Sequence, residues 1–243
     1  GKLGGNEFTN QYKTYQLGYD AQAGEWRVGA AYEYSDGSLN YTSGSGENKI
    51  GAISLYGTLQ GKDNSALDIV VKRGRIYGDM DIYGKYSDQG DYSTDATSIG
   101  VEYSKRFDGG NNVYFEPQAQ LTFGRIDGYD YVSAKGIRVA YDDINSLIGR
   151  LGIVGGKAFS RGDVYVKASL LHEFSGDSSV TMLAANGESY MEDQDYGDTW
   201  LEVGIGGNIT LGKNCELYGE VERSFGGDVT KNWGANVGFR YSF

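Results

Sequence analysis

Nine charged or amide side chains recur at alternate positions within strand-like stretches of the sequence. They are Glu102, Glu116, Gln118, Arg150, Lys167, Glu202, Glu220, Glu222 and Arg240. Side chains of an extended strand alternate between two faces, so these residues belong to polar faces that a fold could bring together. Glutamates in such a cluster could serve as a general base. They could equally pair with the neighbouring cations and stiffen a polar wall, which is the role that we expect, and we name no catalytic residue.

Other residues that could carry chemistry lack the partners that it needs. His172 is the single histidine and cannot build an ordinary metal site alone, and the single cysteine, Cys215, rules out an internal disulfide. An acidic stretch has loose calcium-like spacing without the EF-hand register, and we expect it to be a solvated loop. Its acids are Asp79, Asp81, Asp88, Asp91 and Asp95. The sequence therefore predicts no metal, no cofactor and no enzymatic activity.

The last eleven residues of the chain show what kind of element would position the polar side chains. One face of this segment is apolar and the other is small or polar. The apolar face holds Trp233, Ala235, Val237, Phe239, Tyr241 and Phe243. A strand of a soluble sandwich can show the same alternation, but a terminal aromatic facing outward is typical of a transmembrane β-barrel, where aromatic rings mark the membrane boundary.

Composition supports an all-β chain. The 243 residues include 39 Gly, 21 Tyr and only 1 Pro, which favours strands and turns over helices. Mean hydropathy is −0.48, and no apolar run approaches the roughly 18 residues of a membrane helix. Barrel strands average out to polar because they alternate lipid-facing and lumen-facing residues, so this value does not argue against a membrane barrel. The net charge of −11 argues against a nucleic-acid partner.

The connections between the predicted strands alternate between short and long. Alternation predicts eleven strands, at about 11–22, 26–36, 48–60, 65–76, 97–107, 112–126, 144–159, 163–174, 199–211, 215–225 and 231–243. Tight Gly-, Asn- and Asp-containing turns alternate with long polar loops near 37–47, 77–96, 127–143 and 175–198 and a medium loop at 226–230. Outer-membrane barrels have short periplasmic turns and longer extracellular loops. The pattern predicts a transmembrane antiparallel up-and-down β-barrel.

Strand parity extends this prediction. Bacterial single-chain barrels have an even number of strands, so we expect twelve in the complete barrel, with most of the first strand missing from this sequence. Gly1 and Lys2 would end that first strand, and Leu3–Asn10 would be an extracellular loop. The C-terminus would then be periplasmic and the long loops extracellular. Residues 1–243 would form one domain, with a larger segment upstream.

Five segments of the sequence resemble one family, in that family's order and over nearly the whole chain. They are Tyr12–Asp20, Glu116–Ile126, Gly149–Gly152, Val166–Phe174 and Gly238–Phe243. Together they look like the C-terminal translocator barrel of autotransporters, the type V secretion proteins. The Glu-Pro-Gln-Ala-Gln-Leu run that begins at Glu116 and the terminal segment are the most specific.

The resemblance implies a barrel in the outer membrane of a Gram-negative bacterium, surrounded by lipid and monomeric. It implies a covalently attached N-terminal passenger, which reaches the cell surface, and a linker helix that threads the lumen. It also implies that Phe239, Tyr241 and Phe243 form the signal read by the barrel-assembly machinery. In self-cleaving relatives the lumenal acids help to cut the linker, and whether they do so in this protein stays open.

Two other functions compete with an exporting and anchoring barrel. A stand-alone outer-membrane porin or small-solute channel is the principal alternative, and it would have an open lumen without a helix. An outer-membrane enzyme with catalytic loops is disfavoured, because the sequence shows no evident Ser/His/acid set.

Overall fold

The computed structural model describes residues 2–3, 6–85, 87–195, 197–228 and 231–243, and within them it contains seventeen β-strands. These are β1 (Lys2–Leu3), β2 (Asn6–Ala23), β3 (Trp26–Tyr41), β4 (Gly44–Gln60), β5 (Ser65–Ile82), β6 (Asp88–Lys105), β7 (Phe107–Gly110), β8 (Val113–Ile126), β9 (Tyr129–Val132), β10 (Arg138–Tyr141), β11 (Ile144–Phe159), β12 (Gly162–Glu173), β13 (Asp177–Leu183), β14 (Ser189–Asp195), β15 (Asp198–Thr210), β16 (Cys215–Phe225) and β17 (Gly234–Tyr241). No helix in this part of the chain is long and apolar enough to cross a membrane, which has no bearing on crossing by strands.

Most of the strands form one curled antiparallel sheet. Its order is β1-β2-β3-β4-β5-β6-β8-β11-β12-β15-β16-β17, with the short β7 paired to β8 at its side. The order follows the chain, as it does in up-and-down barrels. The all-β antiparallel fold is confirmed, and each of the eleven predicted strands has a counterpart. The bounds of β11 and β16 are those predicted from alternation.

The two ends of the curled sheet approach each other through side chains. Within the described residues, no backbone ladder joins β2 to β17, but Nη2 of Arg240 lies 3.4 Å from Oδ2 of Asp20. The twelfth strand stays a prediction, and the expectation for Gly1 lies outside the described residues. The predicted loop Leu3–Asn10 is wrong, because Lys2–Leu3 already pairs with the start of β2, at Asn6 and Glu7.

Two of the predicted long loops, 37–47 and 77–96, are also wrong. The ladder between β3 and β4 continues to Tyr41 and Gly44, and the ladder between β5 and β6 continues to Ile82 and Asp88. The outer face of both extensions is polar, so the apolar alternation that marks the lower part of each strand does not continue. Backbone pairing still propagates through them. Position 86 of the second loop and positions 229–230 of the medium loop lie outside the described residues.

The other two predicted long loops, 127–143 and 175–198, contain a second sheet. Its four strands are ordered β14-β13-β10-β9. Tyr131, Val139 and Val180 are buried at its centre and pack against side chains of β5 and β6. Tyr129 connects the two sheets, because its ring stacks on that of Tyr92 of β6 with centroids 4.4 Å apart. These segments are therefore folded elements and not solvated loops.

The two faces of the curled sheet have opposite chemistry. On its outer face, large apolar side chains are exposed, with Val166 58% and Ile205 60% accessible. On its inner face, small polar side chains such as Ser104 and Ser169 are buried. A soluble sheet would bury the apolar set, so this arrangement indicates an apolar surrounding for the outer face.

Pro117 lies where the pairing along one side of β8 is interrupted. β6 pairs with β8 only up to the Ser104–Gln118 partners, and β7 resumes pairing at Phe107–Phe115. Because proline has no N–H, it is tolerated where sheet pairing is interrupted. The position of Pro117 in the strand is therefore compatible with the sheet.

Candidate functional site: the polar inner face

A cavity of about 530 Å³ lies on the inner face of the curled sheet, between strands β8 and β16. Its walls are polar and hold residues of both charges. They include Arg106, Tyr114, Glu116, Gln118, Gln120, Arg150, Asp163, Tyr165, Lys167, Ser169, Glu202, Asn208 and Glu220. Alternation brings these side chains inward because each occupies the face opposite to the exposed apolar residues of its strand.

Arg150 of β11 is the centre of a first hydrogen-bond network. Its Nη2 donates to Oε2 of Glu102 at 2.5 Å, and its Nε donates to Oε1 of Gln120 at 2.7 Å. Its Nη1 lies 3.1 Å from Oε1 of Gln118 and 3.2 Å from Oγ of Ser169. One guanidinium group therefore links β6, β8, β11 and β12. Its side chain is only 16% exposed, so these contacts are poorly accessible to bulk water.

Lys167 of β12 is the centre of a second network, made of alternating cations and carboxylates. Its Nζ donates to Glu220 and, at 3.0 Å, to Oε2 of Glu222. Oε1 of Glu222 accepts a second bond, at 2.5 Å, from Nζ of Lys231. Oε2 of Glu220 accepts from the hydroxyl of Tyr165 at 2.8 Å. The carboxylates of Glu220 and Glu222 are thus held by cations and a phenol.

Asp20 of β2 forms a third network where the ends of the sheet meet. It accepts from Nη1 of Arg27 at 3.0 Å, from the Tyr56 hydroxyl at 3.3 Å and from Nη2 of Arg240 at 3.4 Å. Arg240 therefore lies on the same face as Asp20, but it does not join the cavity cluster. Its partner lies 220 positions away in sequence, and only the curl of the sheet brings the two together.

The remaining predicted inner-face residues lie in or beside the cavity. Glu116 accepts from Nε2 of Gln118 at 2.9 Å, and Glu202 accepts from the Trp200 indole at 3.3 Å. The prediction missed the ion pair of Lys72 with Glu33, at 2.8 Å, although strand parity places both side chains inward. It also missed Asp163, which accepts from Tyr114 at 3.2 Å and from Asn208 at 2.9 Å.

The three aromatic residues of the predicted assembly signal lie on the opposite, outer face or beyond it. Phe239 is 59% and Tyr241 is 50% exposed, and Phe243 follows the end of β17 with its ring against that of Tyr241, centroids 5.0 Å apart. They form an apolar patch at the end of the last strand.

The tyrosines of the second sheet have altered acidity. Burial raises the pKa of Tyr129 and Tyr131 well above the ordinary phenol value of about 10, and neighbouring tyrosines raise it further. Burial also raises the pKa of Tyr141. These phenols are therefore neutral at any physiological pH and act as packing groups.

The histidine and the acidic residues that the sequence singled out contact neighbouring side chains or backbone groups of the sheet. Nδ1 of His172 lies 2.7 Å from Oγ1 of Thr199, and the imidazole meets the edge of Phe174. Asp79 and Asp91 are cross-strand partners in the β5–β6 ladder, whereas Asp88 accepts from the backbone N–H of residue 135. Across the described ranges, no group of three His, Cys, Asp or Glu side chains could hold a metal ion. The predicted acidic loop is thus divided between two strands.

Curated proteins whose sequences are similar to this chain include autotransporters. It is 29% identical to the pertactin autotransporter of Bordetella parapertussis, an alignment that covers 98% of this chain and 27% of the relative. It is also 29% identical to the BrkA autotransporter of Bordetella pertussis, over 93% of this chain and 23% of the relative. The chain thus spans about a quarter of the length of these relatives.

Solved structures share the fold. The β domain of the Bordetella autotransporter BrkA matches with a TM-score of 0.74 and 24% identity, over 100% of this chain and 94% of that one. The translocator domain of NalP from Neisseria meningitidis matches with a TM-score of 0.76 and 15% identity, over 100% and 83%. The model of the autotransporter beta-domain family matches residues 1–222. The chain belongs to the autotransporter beta-domain family.

Proposed function

We propose that this chain is an outer-membrane barrel that anchors a covalently attached N-terminal passenger and enables its export to the cell surface. The observation that carries the proposal is the reversed chemistry of the curled sheet, with apolar side chains exposed outward and charged networks inward. Such a wall suits lipid outside and a water-filled lumen inside. Autotransporter β-barrel domains reside in the outer membrane, and the family membership favours export over the stand-alone porin.

The two ends of the sheet support one orientation in the membrane. Tight turns, such as those between β4 and β5 and between β11 and β12, lie at one end, and the second sheet lies at the other. In outer-membrane barrels the short turns are periplasmic. The C-terminus is then periplasmic and the second sheet is extracellular. The exposed patch of Phe239, Tyr241 and Phe243 is available to the barrel-assembly machinery at the periplasmic end.

The inner-face networks would stiffen the lumen around a linker helix. Glu102, Glu220 and Glu222 each accept a hydrogen bond from a cation, which lowers their availability as a general base. We therefore assign them a structural role and no catalysis. The monomeric barrel, with one passenger and one linker, is the simplest unit that this arrangement supports.

The test uses the full-length protein expressed in a Gram-negative host. Externally added protease should digest the passenger in intact cells while the barrel stays protected. Deleting Phe243 should reduce the amount of barrel in the outer membrane, and the passenger should then disappear from the surface. A native protein that carries no passenger, and that conducts ions steadily in a planar bilayer, would overturn the proposal in favour of a channel.

A further inference from the structure

Three arginine side chains project from the outer face of the curled sheet, at the end of its apolar surface that lies away from the tight turns. Arg73 and Arg75 follow Val71 along the outer face of β5, and Arg125 follows Phe123 along that of β8. Residues two apart in a strand share a face, so an apolar row gives way to a guanidinium row on both strands. This change in chemistry happens on both strands that flank β6.

The pairing register brings these arginines together. Arg73 is the cross-strand partner of Thr97 in β6, and Thr97 is the partner of Arg125 in β8. Adjacent strands lie about 4.8 Å apart, so the backbones at Arg73 and Arg125 are separated by roughly 10 Å, a gap that two long side chains can bridge from either side. Arg75 lies one outward position farther along β5.

Three carboxylates hold the guanidinium groups in place. Asp95 of β6 accepts from Nη2 of Arg73 at 3.1 Å and from Nε of Arg75 at 2.8 Å. Arg125 donates through Nε to Asp127 at 3.0 Å and through Nη2 to Asp143 at 2.6 Å. The cluster is therefore ordered before any ligand arrives, and its three acids formally balance its three positive charges, so a ligand would be held by the remaining guanidinium N–H donors and not by net charge.

The arginines keep donor capacity beyond these bonds. A guanidinium group carries five N–H donors, and hydrogen bonds within the described residues engage two atoms of each group. The side chains of Arg73, Arg75 and Arg125 are 62%, 56% and 46% exposed. Guanidinium donors match phosphate oxygens in a bidentate geometry, which lysine does not provide.

The height of the cluster suits a lipid headgroup. Counting from the tight turns, with about 3.3 Å per residue and a tilt near 40°, Arg73 lies roughly 23 Å and Arg125 roughly 33 Å up the barrel. The apolar band of such barrels is about 25 Å tall. The guanidinium groups thus begin where acyl chains end and charged headgroups start.

We propose that Arg73, Arg75 and Arg125 bind the phosphate group of a lipid in the outer leaflet, with its acyl chains against Val71, Ile99 and Phe123. Those three apolar side chains are 41%, 45% and 44% exposed directly below the cluster. The site rests on the membrane orientation proposed above. Exposed ion pairs contribute little to stability by themselves, so a ligand-binding role accounts for four of them on one lipid-facing patch.

The test measures lipid binding to the full-length protein, purified in mild detergent, by native mass spectrometry with diphosphoryl lipid A as the probe. The variant R73Q/R75Q/R125Q should bind this probe about tenfold or more weakly than wild type, since each lost bond to a charged group is substantial. The matched control is R223Q. Arg223 lies on the outer face of β16, at a similar height, over the ring of Phe225 and away from the cluster.

Further variants and probes exclude simpler explanations. Unchanged heat-resistant migration of the triple variant would show that it folds, and R73K/R75K/R125K should bind with intermediate affinity because charge remains without the bidentate geometry. Equal binding by wild type and the triple variant would overturn the site. Inorganic phosphate that binds as tightly as the lipid would overturn a lipid as the ligand.

The orientation is checked separately, so that its failure can be recognised. In a Cys215→Ser background, a cysteine at exposed Asn186, between β13 and β14, should react with a membrane-impermeant maleimide in intact cells. Absence of labelling would refute the proposed orientation and, with it, an outer-leaflet ligand. Labelling together with unchanged lipid binding by the triple variant would refute the arginine site alone.

Discussion

The curled sheet and the second sheet, built from one chain, bury opposite kinds of side chain. The inner face of the curled sheet holds Arg150 and Lys167 in hydrogen-bond networks, while its outer face exposes residues such as Val166. The second sheet buries Tyr131 and Val139 against its neighbours, as a water-soluble sheet would. The surrounding medium therefore decides which residues a strand buries.

The boundary between the outer face that exposes apolar residues and the part that packs against the second sheet runs through β5 and β6. Their lower parts expose Val71 and Ile99 on the outer face, whereas Met80 and Tyr92, farther up, pack beneath the second sheet. The same two strands thus serve as membrane wall and as a platform for a soluble core. We therefore expect a polar substitution on the outer face below this boundary to destabilise the protein more than one on the water-exposed surface of the second sheet.

The largest effect is expected from opening the aromatic core of the second sheet. Tyr131→Ala should destabilise that sheet by about 3–5 kcal/mol, the usual range for removing a buried aromatic ring. Hydrogen exchange should then accelerate across residues 129–141 while β11 and β12 stay protected. Tyr190→Ala, which alters a side chain 59% exposed on the same sheet, serves as the control. Equal acceleration in both variants would show that the ring of Tyr131 is not a core element.

A matched pair of valines sharpens the comparison. Val166 on the outer face of β12 and Val132 on the second sheet are 58% and 64% exposed, yet we place one in lipid and the other in water. Val166→Arg should cost about 2–4 kcal/mol because it lies near the bilayer midplane. Val132→Arg should stay within about 0.5 kcal/mol. Urea unfolding in lipid bilayers measures both values, and similar costs would remove the distinction between the two media.

The inner-face network should have an intermediate effect. Arg150→Gln removes the ion pair with Glu102 and leaves polar groups on three other strands with fewer partners, which should cost about 1–3 kcal/mol. Arg27→Gln also breaks a 3.0 Å ion pair, with Asp20, but its side chain is 48% exposed. Its cost should be at most about 1 kcal/mol. The unfolding midpoint of each variant reports the difference, and the reverse order would contradict a stiffening role for Arg150.

The smallest effect under physiological conditions concerns pH. The raised pKa of Tyr129 and Tyr131 means that these phenols stabilise the second sheet fully below pH of about 10 and lose that contribution as pH rises through their folded values. Absorbance of phenolate near 295 nm should show a late-titrating group of tyrosines, which Tyr131→Phe should diminish. Titration of all tyrosines together near pH 10 would show that this core is open to water.

The curled sheet could largely be predicted from the sequence because its signals are local. Alternation and tight turns gave β11 and β16 with their observed bounds, and strand parity placed Arg150 among Glu102 and Gln118. The strand extensions up to Tyr41 and Ile82 could not be predicted, because their outer face turns polar and the apolar alternation stops there.

Contacts between residues far apart in the chain could not be predicted from the sequence, for a different reason. The core of the second sheet joins Tyr131 to Val180 through the pairing of β9, β10 and β13. The contact of Arg240 with Asp20 depends on the curvature of the whole sheet. Neither strand pairing nor sheet curvature can be read from a short segment of sequence. The segments of the second sheet were therefore predicted as loops, and Arg240 was assigned only a general position in the lumen.

Site-directed spin labelling at positions 166 and 132 tests the central claim most directly, with Cys215 replaced by serine and the protein in lipid bilayers. A label at 166 should collide with dissolved oxygen more often than with a water-soluble nickel complex, because oxygen concentrates in the acyl region. A label at 132 should show the reverse preference. Similar preference for the nickel complex at both positions would contradict the account, because the outer face of the curled sheet would then lie in water.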